Sequence, residues 1–178
     1  WASAKYSSSV LENSDFEQSP VTSWQGLGDE QRVTSAPSPM LLVDDSLAAC
    51  SDYLPTAVLG AYNLQLLPGE AITQTLPILD GGQEYRLLVD VKLPASSSLL
   101  LRISDGGSVR LEEMVEQASV RGAQGWQRYG HDVILAPTET ITLSLLAPTA
   151  NSEPVLVDNV RLTPYAELYA ADMQMASV

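Results

Sequence analysis

The sequence predicts an all-β sandwich, and three observations carry that expectation. The apolar runs are short, and many alternate with polar residues. Pro, Gly, Ser and Asp punctuate them at the spacing of strands joined by tight turns. Two Asp-Gly-Gly stretches, Asp80–Gly82 and Asp105–Gly107, supply the positive φ angles that hairpin turns require.

Eleven strands follow from this pattern: Val10–Glu17, Gln31–Thr34, Met40–Val43, Ala57–Leu66, Ala71–Leu76, Gln83–Lys92, Ser98–Ser104, Ser108–Glu116, Gln127–Leu135, Thr140–Leu146 and Val155–Leu162. In "EYRLLVDVKL", Tyr85, Leu87, Val89 and Val91 share one face, and Arg86, Leu88, Asp90 and Lys92 share the other. "ITLSLLA" alternates in the same way, with Ile141, Leu143 and Leu145 inward. Val109–Ala118 also fits a helical stripe through Leu111, Met114, Val115 and Ala118. The preceding Asp-Gly-Gly favours a hairpin strand there. In "PVLVDNVRL", alternation puts Leu156, Asp158, Val160 and Leu162 together, with Val155, Val157, Asn159 and Arg161 opposite. A carboxylate on an apolar face needs a partner, because burying an unpaired charge is costly.

The sandwich is expected over residues 10–163. Residues 1–9 form a polar N-terminal extension. Residues 164–178 form a C-terminal extension that opens with Pro164, suited to a first helical position. Leu168, Ala171 and Met175 could share a helical face. A tail packed on its own domain and a docking segment for a neighbouring subunit both stay open.

Nine basic residues stand against twenty-two acidic ones, a net charge of −13. Only Lys5 and Lys92 are lysines. Such a surface repels phosphate backbones and argues against a nucleic-acid partner. No apolar run is long enough for a membrane-spanning helix. Cys50 is the sole cysteine and can form no disulfide within the chain. The chain opens at Trp1, which reads as a removed leader or as a start inside a longer protein.

Catalytic signatures are thin. His131 is the sole histidine, and no Gly-x-Ser-x-Gly elbow accompanies it. One His and one Cys cannot build the usual zinc sites. No Gly-rich phosphate loop of Walker or dinucleotide type is present. Glu112, Glu113 and Glu116 read as a solvated edge rather than a glycosidase pair. The expectation is that the chain is not an enzyme.

A set of motifs in order resembles one family. "LENSDFEQSPVTSW" (Leu11–Trp24) is similar to the opening Asn-Gly-Asp-Phe-Glu…Trp of jelly-roll carbohydrate-binding modules with a galactose-binding-like fold, with Ser14 in place of the Gly. "AYNLQL", "AITQTLPI", "GGQEYRLLVDV", "GWQRYGHDVIL" and "VLVDNVRL" match its later strands in order. The resemblance spans Val10 to Leu162. It implies first and last strands side by side, with a structural calcium held by Glu17 and Asp158; the other open solution is that Asp158 accepts backbone N–H bonds from a nearby loop, which needs no metal. Asp15 and Asn13 are further oxygen donors, and Phe16 is a core residue. It also implies a non-catalytic, secreted, extracellular module whose partner is a polysaccharide or glycan. Sugars stack on exposed aromatics, and the candidates are Tyr53, Tyr62 and Trp24; Trp24 is also often core in such modules, as is Trp126. Aromatics make up only 6% of the chain, which leaves few spare platforms. The alternative is a structural subunit of an extracellular filament or surface assembly, joined to identical subunits through its terminal segments.

Overall fold

The computed structural model describes residues 9–13, 15–17, 23–26, 32–34, 40–43, 62–76, 83–117, 126–135 and 140–164. Ten strands lie in these stretches: β1 (Arg32–Thr34), β2 (Met40–Val43), β3 (Tyr62–Leu66), β4 (Ala71–Leu76), β5 (Gln83–Lys92), β6 (Ser98–Asp105), β7 (Ser108–Glu116), β8 (Trp126–Leu135), β9 (Ile141–Leu146) and β10 (Val155–Pro164). They form a six-stranded sheet, β1-β3-β10-β5-β8-β2, and a four-stranded sheet, β4-β9-β6-β7. Pairing is antiparallel except between β2 and β8. The chain is an all-β sandwich. Among the described residues no helix is long and apolar enough to cross a membrane.

Alternation explains the core. β4, β9 and β6 turn Ile72, Leu76, Ile141, Leu143, Leu145, Leu99, Leu101 and Ile103 inward. The larger sheet answers with Leu64, Leu66, Tyr85, Leu87, Val89, Val91, Val155 and Val157. Val109–Glu116 is strand, as the Asp-Gly-Gly turn before it suggested; Gly106 and Gly107 take positive φ there. Phe16 is core, with its ring centroid 5.7 Å from that of Trp24.

Two sequence expectations change. Val10–Glu17 is not a regular strand: Asn13 and Phe16 adopt positive φ, and the segment bends. Tertiary bonds shape it instead. Val10 N donates to Leu162 O at 2.9 Å, and the Gln74 side chain pairs with both backbone groups of Glu12.

The second change concerns β10. Its register against β5 shifts between Asp158 and Arg161, and Asn159 has φ +46°. This is a β-bulge, in which an inserted residue resets the alternation. Val155 and Val157 face the core before it, and Val160 and Leu162 after it. Asp158 therefore does not share a face with Val160 and Leu162. It stands on the outer face, directly across from Asp90 of β5.

The sequence expectations for Cys50, Tyr53, the Asp80–Gly82 turn, residues 1–8 and residues 165–178 fall outside the described residues. The terminal segments on which the filament alternative rests are among them.

Candidate functional site

The outer face of the six-stranded sheet carries an unusual load of charge. Along β5, Arg86 and Asp90 alternate with Leu88, and all three are buried. Arg128 on β8 lies opposite Asp90 and grips it with two bonds, Nε to Oδ1 at 2.7 Å and Nη2 to Oδ2 at 3.0 Å. Asn159 Nδ2 donates to the same Oδ2 at 2.9 Å. Four residues along, Arg86 donates to Asp132 at 2.6 Å. Trp126, on the same side of β8 as Arg128, is buried outside the core cluster. The fork of an arginine matches the two oxygens of a carboxylate, so the Asp90–Arg128 pair is held rigidly.

Asp158 is different. It is 0% exposed, and among the described residues its Oδ1 accepts only the neighbouring Asn159 N–H at 2.8 Å. Among the described residues its Oδ2 has no hydrogen-bond partner. Burial pushes its carboxyl up to about 8, and the nearby charges of Asp90, Glu17 and Asp15 push the same way. The guanidinium of Arg161 is lowered, first by burial and then by Arg128.

The local backbone explains this crowding. β3 pairs with β10 only from Val155 to Val157. Past the bulge, Ser9 and Val10 take over that edge: Ser9 Oγ accepts from Leu162 N at 3.1 Å, beside the Val10–Leu162 bond. Glu17 bridges the junction, its Oε1 accepting the Tyr62 N–H at 2.8 Å. Asp15 Oδ1 accepts from Glu17 N at 3.4 Å. The opening segment and last strand thus lie side by side, and Glu17, Asp15 and Asp158 meet electrostatically where the bulge opens.

Among the described residues, no three His, Cys, Asp or Glu side chains converge into a ready metal-binding group. Calcium does not require one, since it takes six to eight oxygens that include backbone carbonyls and waters. The orphaned, buried Asp158 Oδ2, with Glu17 and Asp15 near enough to act on its charge, would supply one oxygen to a hard cation.

A cavity of about 450 Å³ sits at one end of the outer face. Lys92, Pro94, Gln117, Glu153, Pro154 and Leu156 are among its walls. Leu156 and Lys92 are register partners, one step along the strands from Asp158 and Asp90. A smaller cavity of about 330 Å³ adjoins it through Ala95 and Gln117. The walls are fixed by hydrogen bonds. Asn151 accepts from Ser98 N at 2.9 Å and donates to Ser98 O at 2.8 Å, imitating a strand pair. Ser97 N closes a turn onto Pro94 O, and Ser97 Oγ donates to Glu153 O. The loop after β5 is thereby tied to the loop before β10.

The aromatic candidates separate. Tyr62 is 39% exposed at the start of β3, beside Glu17. Trp24 is 2% exposed, packed on Phe16, with its Nε1 donating to Asn13 O. No ring face of Trp24 is left for a sugar, so it belongs to the core. His131 is half-exposed, its Nε2 3.4 Å from Glu113 Oε1 on the facing sheet.

Sequence reasoning missed Asp90, Arg128, Arg86 and the cavity. A signal existed for the first two: a lone charge within "LLVDV" and another within "WQRYG". The test that singled out Asp158 passes over them, because their strand faces also carry Arg86, Lys92 and Asp132 and read as polar. Their pairing depends on the β5–β8 register, which no local pattern prints.

No family model matches the chain, and no curated protein resembles it in sequence. Solved structures do resemble it in fold. TmCBM61, solved in complex with β-1,4-galactotriose, is similar at TM-score 0.54 and 18% identity, over 88% of this chain and 99% of that one. The CBM22-1 xylan-binding domain from Paenibacillus barcinonensis is similar at TM-score 0.50 and 16% identity, over 84% of this chain and 90% of that one. A cyclase from Fischerella sp. TAU is similar at TM-score 0.51 and 15% identity, over 86% and 94%. The fold is the jelly-roll sandwich of carbohydrate-binding modules, a frame that an enzyme shares.

Proposed function

We propose that this chain is a non-catalytic carbohydrate-binding module that works outside the cell and is stabilised by calcium. The preformed cavity at the end of the outer face carries the reading. Its volume lies within the roughly 300–1,000 Å³ of small-ligand sites. Its lining combines apolar walls, Pro94, Pro154 and Leu156, with Lys92, Gln117 and Glu153. Sugars present that same mixture, C–H ring faces edged with hydroxyls. The fold is shared with a module solved with a galacto-oligosaccharide and with a xylan-binding domain. Hydrogen bonds from Ser97 to Pro94 and Glu153, and between Asn151 and Ser98, tie together the two loops that wall the cavity. Away from the cavity, the exposed Tyr62 at the start of β3 is assigned the part of a stacking platform, and Tyr53 is assigned the same part.

Calcium, in this reading, is held by Asp158 with Glu17 and Asp15. When bound it supplies the positive charge that the buried Asp158 oxygen lacks. The chain's own residues bring the opening segment to β10 through the Ser9 and Val10 bonds to Leu162.

Affinity electrophoresis in native gels tests the function. Gels cast with neutral and acidic soluble polysaccharides should retard the chain with at least one of them. Equal mobility in every gel contradicts a glycan-binding role.

A further inference from the structure

The cavity's charge chemistry points to a more specific ligand. Lys92 is one of two lysines in a chain of net charge −13. It lines the cavity, and among the described residues no ion pair engages it. A neutral sugar needs no such cation. The apolar walls around the lysine raise the strength of any charge-assisted hydrogen bond formed there. Glu153 lines the same cavity and can accept hydrogen bonds from hydroxyls. Gln117 adds an amide that both donates and accepts.

We propose that this cavity receives a uronic acid, with the sugar carboxylate against the Lys92 ammonium and its hydroxyls toward Glu153 and Gln117. The net charge narrows the ligand further. A polyuronate would be repelled by the acidic surface at long range. A single uronate within a neutral glycan places one carboxylate at one cation and keeps that repulsion small. The assignment rests on the carbohydrate-binding reading and deepens it.

A matched pair of ligands tests it. Methyl β-glucoside and methyl β-glucuronide differ only in oxidation at C6. Titration followed by amide chemical shifts should show the glucuronide binding at least about fivefold tighter, as one partly exposed charge-assisted contact provides. Shifts should centre on Lys92, Gln117 and Glu153. Lys92→Gln should bring the affinity ratio to unity, and Lys92→Arg should keep the preference. Preserved dispersion of the amide spectrum establishes that each variant is folded. Equal affinities for the two glycosides, or a preference that survives Lys92→Gln, overturns the uronate assignment and leaves the carbohydrate reading standing. Acetate reproducing the same shifts at the same affinity also overturns it, because the cavity would then recognise an anion and not a sugar. If neither glycoside binds and no polysaccharide retards the chain, both readings fall.

Discussion

Asp158 and Asp90 are neighbours with opposite fates. Each is 0% exposed on the outer face, but Asp90 holds Arg128 and Asn159 while Asp158 holds one backbone N–H. Removing one partner of a buried pair costs more than the pair contributes, because a charge is left stranded. Arg128→Leu should therefore destabilise the fold by about 3–5 kcal/mol, read from urea unfolding. A loss below about 1 kcal/mol would mean that solvent reaches Asp90 freely. Asp158 predicts a pH dependence. Its folded value of about 8 lies above the ordinary 3.8, so the folded state binds the extra proton between those values. Without calcium, its contribution to stability is greatest below about pH 4 and declines as pH rises toward 8. The carboxyl carbon shift of Asp158 should titrate near 8 in calcium-free solution. Asp158→Asn should remove most of that decline, since the amide carries no charge to bury.

At the scale of elements, period-two alternation located strands closely. β4, β7 and β2 begin and end where the pattern of Ala71–Leu76, Ser108–Glu116 and Met40–Val43 placed them. What alternation cannot express is an interruption. Asn159 at positive φ reversed the faces of β10, and Asn13 and Phe16 turned the opening segment away from strand geometry. Asn tolerates that region, but Phe does so only when packing holds it, and Phe16 is clamped in the core. The candidate site was half legible for the same reason. Glu17, Asp15 and Asp158 were marked by motif, whereas the Asp90–Arg128 grip and the cavity arise from register and loop packing. Close approach at Gly26 offers a test of this element-level packing. Its φ is +85°, and an added Cβ would stand 2.5 Å from Ala71 O, beside the Gln25–Thr73 bridge. Gly107 has φ +87° with nothing within 4 Å. Gly107→Ala should cost about 1–2 kcal/mol from backbone strain alone. Gly26→Ala should cost clearly more, and equal losses in thermal unfolding would show that the opening segment is not held against β4.

For the whole molecule, closure is the decisive feature. A sandwich of two open sheets has exposed edges, and the opening segment covers the second half of β10 where β3 has stopped. The geometry that seals this edge also draws Glu17 and Asp15 toward the buried Asp158. Closure thus leaves a buried carboxyl that gives up its proton only near pH 8 unless a cation is bound beside it. A ligand that binds only the folded state stabilises it by mass action, and calcium in the proposed seat would compete with protons for the same oxygens. Thermal unfolding with millimolar calcium, against the same buffer with chelator, is the most direct test. At pH 8 the midpoint should rise with calcium by several degrees, and at pH 5 the rise should shrink toward zero as Asp158 keeps its proton. Identical midpoints with calcium and with chelator at pH 8 would contradict a cation seat at the joined ends of the sandwich.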